Sequence, residues 1–379
     1  MGSKRGACTI IAKNYLAAAK TLAQSFLAKN SDREFYVLIV DEFEGFVDDS
    51  NEDFEIIGLA SLGIPNLPSL CFKYNVVELC TAVKAHFLQY LISEKGLDEV
   101  LYIDPDILVT NTLERIFDRL NTHDIVLTSH TNVDYPDDGY SPDDRLMLLT
   151  GGFNLGFIGL NASENAQEFL RWWQSKLLDK CVTDPQQGYF VDQKFIDLVP
   201  SLFDNYYIEK NPGYNVAWWN IHSRSINREN GTWMCNGGPL YFFHFSSYRL
   251  ERPDILSRMT TRYQLSDRPD LQPLFSEYRE RLIENGYEES SQWKYTHGFF
   301  DTGESIPVEL KVLYRCRPEE WHKIGDPFKS KIMKHRAAMT KKLNQNTAFS
   351  RLLSFAYRST FPLRNAYGRW LGAQSSSKS

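Results

Sequence analysis

The chain has 379 residues, 24% of them charged and 42% hydrophobic, with a net charge of −6. That is globular composition, long enough for one large domain with an extension or for two domains. No apolar run approaches the roughly 18–20 residues needed to span a bilayer, and the apolar stretch Cys8 to Ala12 near the start is too short for a signal peptide.

The first hundred residues alternate strand and helix. "ACTIIA" (7–12) reads as a strand, and "NYLAAAKTLAQSFLAKN" (14–30) as a helix with Asn14 as a possible N-cap. "EFYVLIVDE" (34–42) is a second strand with Asp41 at its carboxyl end, and "FEIIGL" (54–59) is a weaker third. "VVELCTAVKAHFLQYLIS" (76–93) reads as one helix stopped by Gly96. A buried strand, Val100 to Ile103, then runs into Asp104-Pro105-Asp106, and a second apolar stretch, Ile107 to Val109, follows at once. This alternation predicts an α/β fold, a parallel sheet with helices on its faces.

Beyond it the pattern changes. "DIVLTS" (124–129) is a short strand, 130–148 an acidic loop, "GGFNLGFIGL" (151–160) a glycine-punctuated strand, and "AQEFLRWWQSKLL" (166–178) a helix. "YFVDQKFIDLVPSLF" (189–203) reads as a short helix, and "PLYFFHFSSYR" (239–249) as an aromatic strand containing His244. From Leu250 the chain reads as polar and irregular.

The six cysteines are scattered, with no CxxC pair, so neither a zinc site nor a disulfide framework is expected. A reducing cytoplasm fits that usage. From Trp321 onward twelve Lys and Arg face a single acid, so this tail carries +11 and residues 1–320 carry −17. An acidic body argues against nucleic acid as a partner. Within 329–372, Lys and Arg alternate with Met339, Leu343, Phe349, Leu352 and Leu353 near helical spacing. That pattern suits peripheral attachment to an anionic membrane surface, or packing of its apolar face on the body.

Asp-Pro-Asp is ordinary turn chemistry. It is also a pair of hard oxygen ligands, suited to a divalent cation. Ligands of open α/β sheets lie beyond the carboxyl ends of the strands, where Asp41, Asp104 and Asp106 all fall. That favours the cation.

Four stretches occur in order: "YIDPDI" (102–107), "GGFNLGF" (151–157), "VDQ" (191–193) and "HFSS" (244–247). Together they resemble the retaining glycosyltransferases of the GT-A fold, the glycogenin and lipopolysaccharide galactosyltransferase group, over about residues 6–250. "YNVAWWNIHSR" and "GFFDTGESIPVELKVLYR" are similar to bacterial relatives of that group. The resemblance implies a GT-A catalytic domain over 1–250, a mixed sheet flanked by helices, with a helical C-terminal extension over 251–320 and the basic tail over 321–379. It implies transfer of a sugar from a nucleotide-diphosphate sugar, UDP-sugar favoured, to a glycan or lipid-linked acceptor. A Mn²⁺ or Mg²⁺ ion would act as Lewis acid on the leaving diphosphate.

The residue roles follow from the same resemblance. Asp104, Asp106 and His244 would be metal ligands, with Asp104 also toward the ribose; alternatively His244 packs among Phe242, Phe243 and Phe245. Lys84 would contact the diphosphate and donor sugar, or be a solvated helix lysine. Ala12 and Tyr15 would flank the nucleobase and ribose. Asp41 would accept a hydrogen bond from base or ribose, or cap a turn. Gly152 and Asn154 would touch the donor sugar. Asp192 would be a nucleophile, a stabiliser of positive charge at the anomeric carbon, or a cap on the following helix, with Gln193 in support. The group's Gly and Lys-Pro-Trp after the His-Phe/Tyr are missing from "HFSSYRLERPD", where Arg249 or Arg252 could supply the charge. Trp218 and Trp219 beside Asn215 suggest either an acceptor-sugar platform or buried aromatics. An inverting transferase and a decayed nucleotide-binding scaffold are the alternatives, and the intact Asp104, Asp106, Asp192 and His244 weigh against decay.

Overall fold

The computed structural model describes residues 3–48, 50, 52–316 and 325–329. Apart from those last few residues, the basic tail and its amphipathic pattern lie outside the described residues. No helix among the described residues is long and apolar enough to cross a membrane.

Seven strands form the central sheet: β1 (Arg5–Ile11), β2 (Glu34–Ile39), β3 (Glu55–Gly58), β4 (Glu99–Ile103), β6 (Ile125–Ser129), β7 (Phe153–Asn161) and the strand Tyr206–Glu209. Between β4 and β6 in sequence, β5 (Ile107–Val109) leaves this sheet and pairs antiparallel with Phe242–His244. The spatial order runs β3-β2-β1-β4-β7-β6 and then Tyr206–Glu209. Only β7 runs against its neighbours, β4 and β6. The fold is therefore mixed α/β with a mostly parallel sheet. Strands buried on both faces read as continuous apolar runs, as "FYVLI" and "VLYI" do.

The helices cover both faces. They are α1 (Leu16–Leu27), α2 (Leu67–Lys73), α3 (Val76–Ala82), α4 (Lys84–Ser93), α5 (Glu114–Leu120), α6 (Asp144–Thr150), α7 (Glu164–Lys180) and α8 (Gln193–Ile196). One core packs Leu79, Phe87, Leu88 and Leu91 against Trp173, Phe169 and one face of the sheet. A second packs Leu22, Phe26, Ile116 and Phe117 on the other face.

Several expectations need correction. Asn14 does not cap α1; a short 3-10 turn, Lys13–Tyr15, precedes the helix, and Tyr15 occupies the cap position without a side-chain bond. The expected helix 76–93 breaks at Val83 into α3 and α4, so Lys84 opens a helix instead of riding mid-face. Within the expected loop 130–148, α6 begins at Asp144, with Asp143 capping the Leu146 amide. The segment 189–203 is a two-residue strand followed by two single-turn helices. Beyond Leu250 the expected helical extension is present, as a helix Gln272–Glu284, a short one Tyr287–Ser290 and another Val308–Cys316, although the stretch reads as polar and irregular. Their apolar residues are spaced among many charges, which hides the period in a polar stretch.

Candidate active site

β4 ends at Ile103, and the chain turns through Asp104 to Asp106 before β5 begins. Asp104 is pinned on both sides. Its amide donates to the Gly156 carbonyl of β7 at 2.8 Å, and its Oδ1 accepts from the Tyr102 hydroxyl at 2.6 Å. His244 ends the strand that pairs with β5, where the register sets it opposite Ile107. Its amide donates to the Val216 carbonyl at 2.8 Å. The ring then meets the acids: His244 Nε2 lies 2.9 Å from Asp106 Oδ1 and 3.8 Å from Asp104 Oδ2.

One ligand atom from each of Asp104, Asp106 and His244 falls within 4.8 Å of the others. Two carboxylates and an imidazole suit a hard or borderline divalent ion, and leave coordination positions for phosphate oxygens. A cradle supports the ring. A Cβ on Gly156 would lie 2.5 Å from His244 Cε1 and 2.7 Å from its Nδ1, so only glycine admits the imidazole there. The sequence reading passed over Gly156; the glycine in "FNLGF" was its signal. Burial opposes a charge on His244, but the carboxylates of Asp106 and Asp104 together outweigh it and raise the imidazole above its usual range.

Lys84 and Asp192 form a second cluster. Both side chains are buried, and Lys84 Nζ lies 2.6 Å from Asp192 Oδ2. The same ammonium donates to the Leu155 carbonyl at 2.8 Å and lies 4.0 Å from the centre of the Tyr102 ring. Lys84 is thus not a solvated helix lysine. Asp192 precedes α8 but makes no capping bond, so the capping alternative also fails. Burial raises its carboxyl, while the Lys84 ammonium pulls it down, with the net shift upward. Tyr102 joins the clusters, its ring on Lys84 and its hydroxyl on Asp104. Only the fold reveals that link.

Asn154 and Gln193 are buried beside this pair. Gln193 donates to the Thr150 carbonyl at 2.8 Å, and its oxygen receives the Asn154 side chain and the Leu155 amide, each at 3.3 Å. Asn154 Oδ1 accepts from the Gly156 amide at 3.2 Å, and its amide nitrogen meets His130 Nε2 at 3.3 Å. Gly152 is exposed; its N–H donates to Asp197 Oδ1 at 2.9 Å, and its carbonyl accepts from the His130 amide at 3.0 Å. Burial lowers the His130 imidazole to about 4. Its Nδ1 sits 2.9 Å from the Gly151 carbonyl.

Asp41 and Ala12 lie at the ends of β2 and β1. Asp41 is fully engaged, receiving the Lys13 amide at 2.9 Å, the Lys13 ammonium at 3.0 Å and the Thr296 amide at 3.3 Å. Lys13 also donates to the Thr296 hydroxyl at 2.9 Å. The C-terminal extension thereby closes over this corner. Ala12 is buried and its carbonyl accepts from the Tyr15 amide, whereas Tyr15 is 40% exposed. Trp218 and Trp219 are buried, not a platform; Trp219 packs edge-on to His244 at 5.1 Å and to His130 at 5.3 Å.

No family model matches the chain. It is 29% identical to the uncharacterized protein YfnF of Bacillus subtilis over 285 residues, 73% of this chain and 92% of that one. It is 26% identical to the uncharacterized protein YfnD of the same organism over 250 residues, 64% of this chain and 77% of that one. Among solved structures it is similar to the galactosyltransferase LgtC in complex with donor and acceptor sugar analogs, with TM-score 0.45, 15% identity and coverage of 84% of this chain and 99% of that one. It is also similar to the glycosyltransferase GlyE of Streptococcus pneumoniae, with TM-score 0.41, 16% identity and coverage of 79% and 67%.

Proposed function

We propose that the protein is a glycosyltransferase of GT-A type that moves a sugar from a nucleotide-diphosphate sugar, UDP-sugar favoured, to a glycan or lipid-linked acceptor with retention of configuration. One observation carries this reading: Asp104, Asp106 and His244 converge beyond the sheet, and Tyr102 ties them to the buried Lys84–Asp192 pair. One cluster suits a metal-bound diphosphate, and the other supplies a fixed dipole beside it. Order and spacing of the four sequence motifs support the same reading.

Asp104, Asp106 and His244 would hold Mn²⁺ or Mg²⁺, which when bound neutralises negative charge on the diphosphate. The bond from the anomeric carbon to the diphosphate oxygen breaks, its electron pair leaving on the diphosphate. The acceptor hydroxyl oxygen bonds to that carbon, and its proton passes to the departing diphosphate. Asp192 is 2% exposed and paired with Lys84, which favours electrostatic support of developing positive charge over direct attack on the sugar. Lys84 is held by this pair, and Gln193 fixes the Asn154 side chain at the donor subsite. Asp41 organises the corner for base and ribose through Lys13, with Ala12 and Tyr15 beside it.

Nucleotide-sugars should be screened by thermal shift with Mn²⁺, and the one that stabilises the protein assayed for turnover by NMR of the product anomer. A ligand that binds the folded state must raise the melting temperature. Asp106→Ala should abolish both the metal-dependent shift and transfer. Undiminished transfer in excess chelator would sink the metal assignment, and an inverted product would sink retention.

A further inference from the structure

His130 follows β6 directly, and its backbone is pinned from both sides. Its amide donates to the Gly152 carbonyl at 3.0 Å, and its carbonyl accepts from the buried Asn220 side chain at 2.9 Å. The residue is only 5% exposed. Its Nδ1 meets the Gly151 carbonyl at 2.9 Å. A carbonyl has no proton to give, so Nδ1 carries the hydrogen. Burial keeps the imidazole neutral, lowering it to about 4. The other nitrogen, Nε2, therefore has a lone pair and no proton. It faces the Asn154 amide nitrogen at 3.3 Å and must accept from it.

That one proton orders a chain of buried amides. The Asn154 nitrogen donates to His130 and also to Gln193 Oε1, again at 3.3 Å. Gln193 cannot turn round, because its own nitrogen donates to the Thr150 carbonyl at 2.8 Å. With its nitrogen committed twice, Asn154 turns Oδ1 toward Gly156 and accepts the Gly156 amide at 3.2 Å. Gly156 in turn supports two of the three ligands. Its carbonyl takes the Asp104 amide at 2.8 Å, and the His244 ring lies where its Cβ would be. Leu155, between them, receives Lys84 on its carbonyl at 2.8 Å and gives its amide to Gln193 at 3.3 Å. Residues 154–156 are therefore the common support of the metal-ligand cluster and the Lys84–Asp192 pair. With the proton on His130 Nε2 instead, two N–H donors would face each other at Asn154. Flipping Asn154 to relieve that would set its NH2 against the Gly156 amide, and a buried donor without an acceptor is costly.

We infer that His130, protonated at Nδ1 alone, is a positioning residue for the Asp104–Asp106–His244 metal site, acting through the Asn154 side chain and the Gly156 backbone. This rests on the transferase reading above, and it gives Asn154 a task besides the donor subsite. Groups behind metal ligands fix their orientation, and losing one lowers metal affinity by about 10- to 100-fold. His130 acts at one further remove, so the low end of that range applies.

Two measurements on the full chain test it. The first is nitrogen NMR of metal-free protein carrying ¹⁵N-labelled histidine, with the His130 signals assigned by their loss in His130→Gln. The ring should show a protonated Nδ1 and a bare Nε2. The second is Mn²⁺ affinity, read by electron paramagnetic resonance, in His130→Gln, His130→Asn and His130→Phe. A glutamine oxygen can stand near the place of Nε2 and accept from Asn154, whereas asparagine reaches only as far as Nδ1 and phenylalanine accepts nothing. We expect His130→Gln to bind Mn²⁺ within about threefold of the parent, and His130→Asn and His130→Phe to lose about tenfold. A ring that merely fills space predicts the opposite order, with His130→Phe the best tolerated. Added to Asn154→Ala, His130→Phe should cost nothing more, because residues acting through one another are not additive. A proton on Nε2, parent-like Mn²⁺ binding in folded His130→Phe, or full additivity in the double variant overturns the inference and leaves the transferase reading standing. Failure of the parent to bind Mn²⁺ overturns the metal assignment and this inference with it.

Discussion

Lys84 and Asp192 meet in the interior with 2.6 Å between ammonium and carboxylate, and each side chain is at most 3% exposed. Nothing near them in the chain requires this, since more than a hundred residues separate them. Removing one partner strands the other as a buried charge. Lys84→Met should therefore destabilise the protein by about 3–5 kcal/mol in urea unfolding. The double variant Lys84→Met/Asp192→Leu should recover much of that loss yet remain inactive. A double variant no more stable than the single one would show that the pair does not account for the cost. An active double variant would remove both residues from the transfer chemistry.

Gly156 has His244 where a side chain would be. Gly156→Ala should displace the imidazole, because its Cβ would fall 2.5 Å from Cε1. Overpacking of this kind costs about 1–3 kcal/mol, so the fold should survive. Mn²⁺ affinity measured by electron paramagnetic resonance should fall tenfold or more. Unchanged affinity in the folded variant would mean that His244 is not a ligand.

Lys311, in the helix Val308–Cys316, donates to the carbonyls of Phe72 at 3.0 Å, Tyr74 at 2.9 Å and His297 at 3.2 Å, binding the C-terminal extension to the end of α2. Burial lowers its ammonium from 10.5 to about 8. Between these values the unfolded chain holds the proton and the folded one does not, so this group adds stability as pH rises from 8 toward 10.5. Buried thiols such as Cys71 work in the opposite direction, because burial raises them and the unfolded chain ionises first. The comparison with Lys311→Met isolates the lysine. The parent's stability relative to the variant should grow by roughly 2–3 kcal/mol across that window, at 1.36 kcal/mol per pKa unit. A pH-independent difference would refute the shift.

The basic tail should hold the protein to anionic vesicles through its Lys and Arg, at about 1 kcal/mol for each one near the surface. Co-sedimentation with phosphatidylserine-containing liposomes should be strong at low salt and weak at high salt. It should disappear in a chain ending near Asp326. Equal sedimentation of both chains would rule the tail out as an anchor.

β1 to β4 are legible along the chain in their order, because strands buried on both faces are written as apolar runs bounded by helical periods. The sequence by itself also determined that Asp41, Asp104 and Asp106 stand at strand ends, and that His244 follows an aromatic strand. Those are local properties. Tertiary structure alone decided which distant groups meet. The pairing of β5 with Phe242–His244 turns His244 onto Asp106, and the break at Val83 aims Lys84 inward at Asp192. The antiparallel passage of β7 sets Gly156 beneath the imidazole and Leu155 beside the ammonium. Helix boundaries at Val83 and Asp144 were also illegible, since capping and core packing override a period of only two turns.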